Sequence, residues 1–233
     1  HRDLHSFPTR RSSDLVDSEP IHCIANRDAF EHFGLPRDLY QPDEFIGVPD
    51  VDTFQLFIDK YHYSFTAQEM LAVKIERMKR LCETMLTLTP GAETVLKAVR
   101  SAGLQVGVAT ASSRPLLEFF VERLGIGQYF DALASGTDSD VAKNKPAPDV
   151  FLRCAEKIGV SPLNAVVFED SLNGVRAALA AATDVIVIRG AENRDKDFSG
   201  LPISEDWTNG FLDCASSPLF RRIIQSPVKA DCR

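Results

Sequence analysis

Hydrophobic and polar positions change rhythm twice along this chain. Between about residues 21 and 86 the apolar residues recur at helical intervals only. Ile21, Ile24, Ala25, Ala29 and Phe33 share one helical face that Gly34 and Pro36 bring to an end, and Phe54, Leu56, Phe57, Ile58 and Tyr61 follow. Ser18 stands where an N-cap of the first helix belongs, and Thr66-Ala67-Gln68-Glu69 has the spacing of a capping box that opens a long helix. From Leu88-Thr89-Pro90-Gly91 onward, short apolar runs alternate with amphipathic stretches. The pattern predicts a helix over 92–102 stopped at Gly103, a strand over 104–109, a helix over 115–124 and a short strand near Ala132-Leu133-Ala134. A helix over 148–158, a strand ending at Glu169, a helix over 174–182 and a last strand over 184–188 complete the series. Such alternation predicts an α/β fold, a doubly wound parallel sheet, with a small helical domain inserted early. The expected organisation is a core over 15–20 and 87–200, a helical insert over 21–86, a leader over 1–14 and a tail over 201–233.

Neither end follows these periods. Residues 1–14 carry Pro8 among scattered charges and have no helical or strand repeat. Leu201 to Arg233 shows no clear period despite Trp207, Phe211 and Leu219-Phe220, and reads as an irregular, loosely docked tail. At 233 residues the chain can bury a full core. Its formal net charge of -7, with no long basic run, argues against a nucleic-acid partner. No stretch approaches the roughly 18 to 20 apolar residues of a membrane span, and the N-terminus has no apolar signal core, so no membrane partner is expected. Cys23, Cys82, Cys154, Cys214 and Cys232 include no C-x-x-C pair and read as reduced, structural thiols. A cytoplasmic location follows from these features.

Right-handed crossovers place the strand C-termini of such a sheet on one edge, where ligands bind. The apolar run Ala165-Val166-Val167-Phe168 ends there in Glu169-Asp170, two adjacent acids that suit a cation site. The alternative is that they cap the next helix, since acids favour a helix N-terminus. The strand over 104–109 leads into Thr110-Ala111-Ser112-Ser113, hydroxyls and backbone N–H groups at a helix start, which suit a phosphate or other oxyanion. Ser112 and Ser113 are equally good N-caps for the helix carrying Pro115. Lys145, in Lys143-Asn144-Lys145-Pro146-Ala147-Pro148-Asp149, supplies a positive charge in a loop on the same edge. A lone loop lysine is usually just solvated. Together, a hydroxyl, a lysine and two acids at successive strand ends fit binding of a phosphate with a divalent cation.

In order, Thr110-Ala111-Ser112, Lys145-Pro146-Ala147-Pro148-Asp149 and Phe168-Glu169-Asp170-Ser171-Leu172-Asn173-Gly174-Val175 resemble motifs two, three and four of the haloacid dehalogenase superfamily. The resemblance is nearest to its β-phosphoglucomutase-like and sugar-phosphate phosphatase branch and covers about Leu15 to Ile188, with the helical insert matching the family's cap. It implies phosphoryl transfer onto an aspartate, Mg²⁺ as cofactor and a small phosphorylated metabolite as substrate. By motif position, Thr110 would hydrogen-bond the phosphoryl oxygens and Lys145 would neutralise them. Asp170 would ligate Mg²⁺, with Glu169 beside it directly or through water. Ala111 and Ser112 would donate chiefly from the backbone, and the cap loop around Gly47, Phe45-Ile46-Gly47-Val48-Pro49-Asp50, would read the substrate. A monomer can suffice for this chemistry.

One departure stands out. The family's first motif should place its nucleophilic aspartate at position 10 and its acid/base aspartate at position 12, where this chain has Arg10 and Ser12. Asp14 falls two positions beyond the expected acid/base, and Asp17 belongs to the helix start. The leader resembles translated sequencing-adapter or cloning sequence lying over the natural N-terminus. Three functions stay open: a Mg²⁺-dependent phosphomonoesterase, or its phosphomutase relative; an inactive phosphate-binding module; or a damaged gene product.

Overall fold

The computed structural model of the chain describes residues 6–8, 15, 16, 18–41, 45, 48, 50–190 and 193–225. Arg10, Ser12, Asp14, Asp17 and Gly47 lie outside the described residues. Two compact units emerge, one formed by His1–Val16 with Leu88–Arg233 and the other by Asp17–Thr87.

The larger unit is a parallel α/β structure. Its strands are β1 (Ser6–Pro8), β2 (Gln105–Thr110), β3 (Ala132–Ser135), β4 (Val166–Glu169), β5 (Asp184–Ile188) and β6 (Glu205–Trp207), ordered β1-β2-β3 and β4-β5-β6. Every pairing is parallel. Helices cover the strands, so β2 and β4 read as continuous apolar runs rather than alternating ones: Val106 to Ala109, Gly107 included, and Val166 to Phe168 are all buried. The main core gathers Ala109, Ala134, Phe151, Cys154, Val167, Val185 and Val187. Burial pushes the Cys154 thiol up to about 12, so this cysteine is a packing residue and not a nucleophile.

Both ends depart from the sequence pattern. The backbone of β1 pairs with β2, Ser6 opposite Gln105 and Pro8 opposite Gly107, and lies alongside β4. A three-residue strand is specified by backbone hydrogen bonds to its neighbour, which leave no period to read. From Leu201 to Gln225 the chain forms regular elements rather than an irregular tail. β6 adds to β5 with Ile188 opposite Trp207, a 3₁₀ turn covers Gly210–Ala215, and helix Pro218–Gln225 follows. Trp207, Phe211 and Phe220 are buried, with Trp207 edge-on to Phe168 at 5.3 Å between ring centroids. Glu205 fastens the segment by accepting from Trp207 Nε1 at 2.8 Å and from the Leu219 N–H at 2.8 Å. A short strand, a 3₁₀ turn and two helical turns are each too brief to show a period, although their aromatic residues supply the burial.

Among the described residues, the smaller unit includes the α-helices α1 (Glu19–His32), α2 (Asp50–Tyr61) and α3 (Ala67–Met85). Phe30 is its centre, edge-on to Phe57 at 4.8 Å and tilted against Phe54 and Tyr40. The capping box at Thr66 forms in both directions, Thr66 Oγ1 accepting from the Glu69 N–H at 3.2 Å and the Glu69 carboxylate from the Thr66 N–H at 2.7 Å. Ser18 occupies the N-cap of α1, but its side chain makes no capping bond; its carbonyl accepts from the His22 N–H at 2.9 Å. Leu56 faces outward, 58% exposed. Lys74 on α3 is buried and ion-paired to Asp50 at the start of α2. Burial alone would push the Asp50 carboxyl up, but the charges of Lys74 and His22 and hydrogen bonds from Lys74 and Asn26 outweigh it and hold the group below the usual range. Among the described residues no helix is long and apolar enough to cross a membrane.

The remaining core helices are α4 (Ala92–Ser101), α5 (Arg114–Arg123), α6 (Asp149–Lys157), α7 (Leu172–Ala180) and α8 (Pro218–Gln225). The C-terminal ends of β2, β3 and β4 feed the segments that carry the candidate chemistry.

Candidate active site

At the end of β2 the Thr110 side chain is fully buried and its Oγ1 accepts from the Ser112 N–H at 3.1 Å, folding the turn back on the strand. Ser112 thereby engages its amide within the turn. Its carbonyl accepts from Ser135 Oγ at 2.6 Å, at the end of β3. Ser113 holds the N-cap position of α5 without a side-chain capping bond, so neither serine acts as the expected cap. Arg114 at the first position of α5 binds Asp138 and donates to the Leu133 carbonyl at 3.0 Å. Burial would raise the Asp138 carboxyl, yet hydrogen bonds from Arg114, the Ser135 N–H and Lys157, with the Arg114 charge, bring it down to about 2.

Lys145 is not a solvated loop residue. Its side chain is 1% exposed, lies 4.3 Å from the centroid of the Phe151 ring, donates to the Ala109 carbonyl at 3.3 Å and is ion-paired to Glu169. It follows a turn set by Asn144, and the Lys145-Pro146 peptide is cis. The ammonium thereby joins the C-terminal ends of β2 and β4.

Glu169 is completely buried, and besides Lys145 it receives the Ser171 N–H at 3.2 Å and the Ser171 hydroxyl at 3.1 Å. A Cβ added to Gly174 would fall 2.0 Å from the Glu169 carboxyl carbon, so only glycine lets the first turn of α7 close over this carboxylate. Ser171 caps α7, its Oγ accepting from the Gly174 N–H at 3.0 Å. The two acids are therefore not the helix cap. Asp170 is partly buried, and its backbone carbonyl accepts from Asn193 Nδ2 at 2.7 Å. Asn193 also donates to the Ile188 carbonyl at 2.8 Å and accepts from the Gly190 N–H at 2.7 Å. Arg189 holds that loop from behind, forked on Asp206 at 2.9 and 2.7 Å and donating to the Asn193 carbonyl.

Two adjacent carboxylates form a hard oxygen donor set of the kind Mg²⁺ takes, and Mg²⁺ commonly completes its shell with water and substrate oxygens. The set fits that ion with unequal roles. Glu169 is fully buried and engaged by a lysine and a serine, and Asp170 follows it in sequence, partly buried. Among the described residues no group of three His, Cys, Asp or Glu side chains is gathered into a cage, so Asp170 and Glu169 would supply part of a coordination shell.

Thr110, Ala111, Ser112, Lys145, Glu169 and Asp170 thus meet at one end of the parallel sheets. Sequence reasoning missed Asn144, Ser135, Ser171 and Asn193, which hold the others in place. For Ser171 a signal existed, a serine three residues before Gly174 at a strand-to-helix junction. Asn144 and Asn193 each join a near neighbour to a group distant in sequence, Ala111 and Asp170, and that second bond is one no local pattern reveals.

The parallel α/β fold thus carries a lysine, a hydroxyl and two acids at its strand ends. Residues 14–188 match the profile of the haloacid dehalogenase-like hydrolases, and the chain belongs to that family. It is 31% identical over 175 residues to the fructose-1-phosphate phosphatase YqaB of Escherichia coli (strain K12), spanning 75% of this chain and 91% of the relative. It is 35% identical over 187 residues to hexitol phosphatase B of the same organism, spanning 76% and 80%. Among solved structures, the putative β-phosphoglucomutase from Thermotoga maritima superposes with a TM-score of 0.72 at 25% identity, covering 91% of this chain and 99% of the other.

Proposed function

We propose that this protein is built as a Mg²⁺-dependent phosphomonoesterase for a small sugar phosphate. The observation that carries the reading is Lys145, whose buried ammonium touches the end of β2 at Ala109 and the end of β4 at Glu169, with Thr110 and Asp170 next in sequence to those two contacts. The similarity to phosphatases of fructose 1-phosphate and hexitol phosphates supports the substrate class.

Phosphoryl transfer between anions requires that their repulsion be cancelled and the phosphorus held in line. In this reading Lys145 brings the permanent positive charge, kept in place by Glu169, and Thr110 with the Ala111 backbone orients the phosphoryl oxygens. Asp170 would hold the cation, with Glu169 contributing mainly through its charge. Mg²⁺, when bound, supplies Lewis-acid charge against the phosphoryl group. The resemblance routes the phosphoryl group through an aspartate at position 10, where this chain has Arg10, a guanidinium that cannot become a nucleophile. Ser12 likewise cannot replace an acid/base carboxylate near neutral pH.

A second reading, phosphate binding without turnover, is favoured by that same pair of residues. Phosphate release from a panel of phosphorylated sugars and hexitols separates the two. The chain with residues 1–14 replaced by an apolar strand ending in Asp-x-Asp-Gly-x should hydrolyse at least one of them. Failure across the panel, in a folded protein that binds phosphate, would leave only the binding module. Isomerisation of a sugar phosphate without release would point to the phosphomutase instead.

A further inference from the structure

Asn144 precedes Lys145, and its side chain reaches both halves of the candidate phosphate site. Its Oδ1 accepts the Lys145 N–H at 2.9 Å, and its Nδ2 donates to the Ala111 carbonyl at 3.2 Å. Its own carbonyl accepts the Ala147 N–H at 3.0 Å. One planar amide therefore fixes the distance between the turn after β2 and the backbone that carries the lysine. Across from it, Gly136 follows β3 and donates its N–H to the Thr110 carbonyl at 2.7 Å. A Cβ on Gly136 would lie 2.6 Å from Asn144 Nδ2 and 2.7 Å from its Oδ1, closer than real contacts allow. Gly136 is thus the seat that lets the Asn144 amide lie flat between its two partners.

We propose that Asn144 is a positioning residue, held by Gly136, that sets the Thr110–Ser112 turn and Lys145 in the register needed to grip one phosphate group. The inference rests on the phosphate reading above and adds a residue outside the motifs that carry it. The alternative is a bond that only tidies a loop. An amide that merely satisfies loop polarity would affect stability, not the affinity of groups on either side of it. A positioning amide should couple with its seat, because both changes act through one contact.

The experiment uses the full chain and inorganic phosphate, titrated by calorimetry, with amide hydrogen exchange as a second arm. Asn144→Ala and Gly136→Ala should each weaken phosphate binding about five- to tenfold, the effect of one lost polar contact, and the double variant should be no weaker than either single. In both, the Lys145 amide should exchange roughly tenfold faster as its acceptor is lost or displaced. Asn144→Asp, which keeps an acceptor for Lys145 but no donor for Ala111, should retain Lys145 protection while losing phosphate affinity. Unchanged affinity and protection in Gly136→Ala, or additive losses in the double variant, would overturn the proposal. Absence of phosphate binding by the unaltered chain would count against the phosphate reading itself. The exchange arm would then decide the clip alone, with lost Lys145 protection upholding it and unchanged protection overturning it.

Discussion

Lys145 and Glu169 form an ion pair inside the core, their side chains 1% and 0% exposed, although 24 residues separate them in sequence. The pair unites a loop with a strand end. Removing one partner strands the other as a buried charge, which typically costs about 3 to 5 kcal/mol. Lys145→Met should therefore lower the unfolding free energy by about that much in urea titrations, and Lys145→Met with Glu169→Gln should recover a large part of it. A lysine serving only as a solvated phosphate contact would leave the urea midpoint unmoved in the single variant.

The two acids should separate by what their loss does. In the chain with its first motif restored, Asp170→Asn should raise the Mg²⁺ concentration needed for half-maximal activity while leaving the melting temperature nearly unchanged. Glu169→Gln should chiefly lower the melting temperature, because Glu169 carries the Lys145 pair and two bonds from Ser171. Equal Mg²⁺ effects from both would assign two direct ligands.

Stability should depend on acid through Asp138. Its folded carboxyl sits at about 2 against an ordinary 3.8, so its contribution is present above the unfolded value and is lost as pH falls from about 4 towards 2. Allowing for solvent screening, the amount is about 1 to 2 kcal/mol. Urea unfolding of the parent should weaken across that window more steeply than that of Asp138→Asn. Parallel pH profiles would show that Arg114 and Lys157 do not depress this group.

The C-terminal segment should behave as core. Trp207→Ala removes a buried ring packed against Phe168, Phe211 and Phe220 and should cost about 3 to 5 kcal/mol, read by chemical denaturation. A change below about 1 kcal/mol would return the segment to the status of a loose tail.

Parallel strands buried on both faces announce themselves as apolar runs, and β2, β4 and β5 were legible to within one or two residues for that reason. The capping box at Thr66 was legible because it is local. Pairings between distant residues left no such trace. Lys145 reads as an exposed loop residue until Glu169 and Phe151 are folded against it, and the Ser6–Pro8 strand is set by its backbone pairing with β2. The tail was missed because Trp207 and Phe211 lie in pieces of structure shorter than any period, and their common environment is made by Phe168 and Phe220. The strand-end candidates themselves were readable because strand topology alone brings them to one edge.

Phosphate release from phosphorylated sugars, measured with and without Mg²⁺ on two chains, shows whether the strand-end site needs an aspartate at position 10. The chain as it stands should release no phosphate above background, since the two positions that the resemblance gives to aspartates carry the guanidinium of Arg10 and the hydroxyl of Ser12. The chain given an apolar strand ending in Asp-x-Asp-Gly-x over residues 1–14 should release phosphate with turnover that chelation abolishes and Mg²⁺ restores. Mg²⁺-dependent release by the unaltered chain, at a rate equal to that of the restored one, would contradict the account and bring Asp14 or Asp17 forward as the nucleophile.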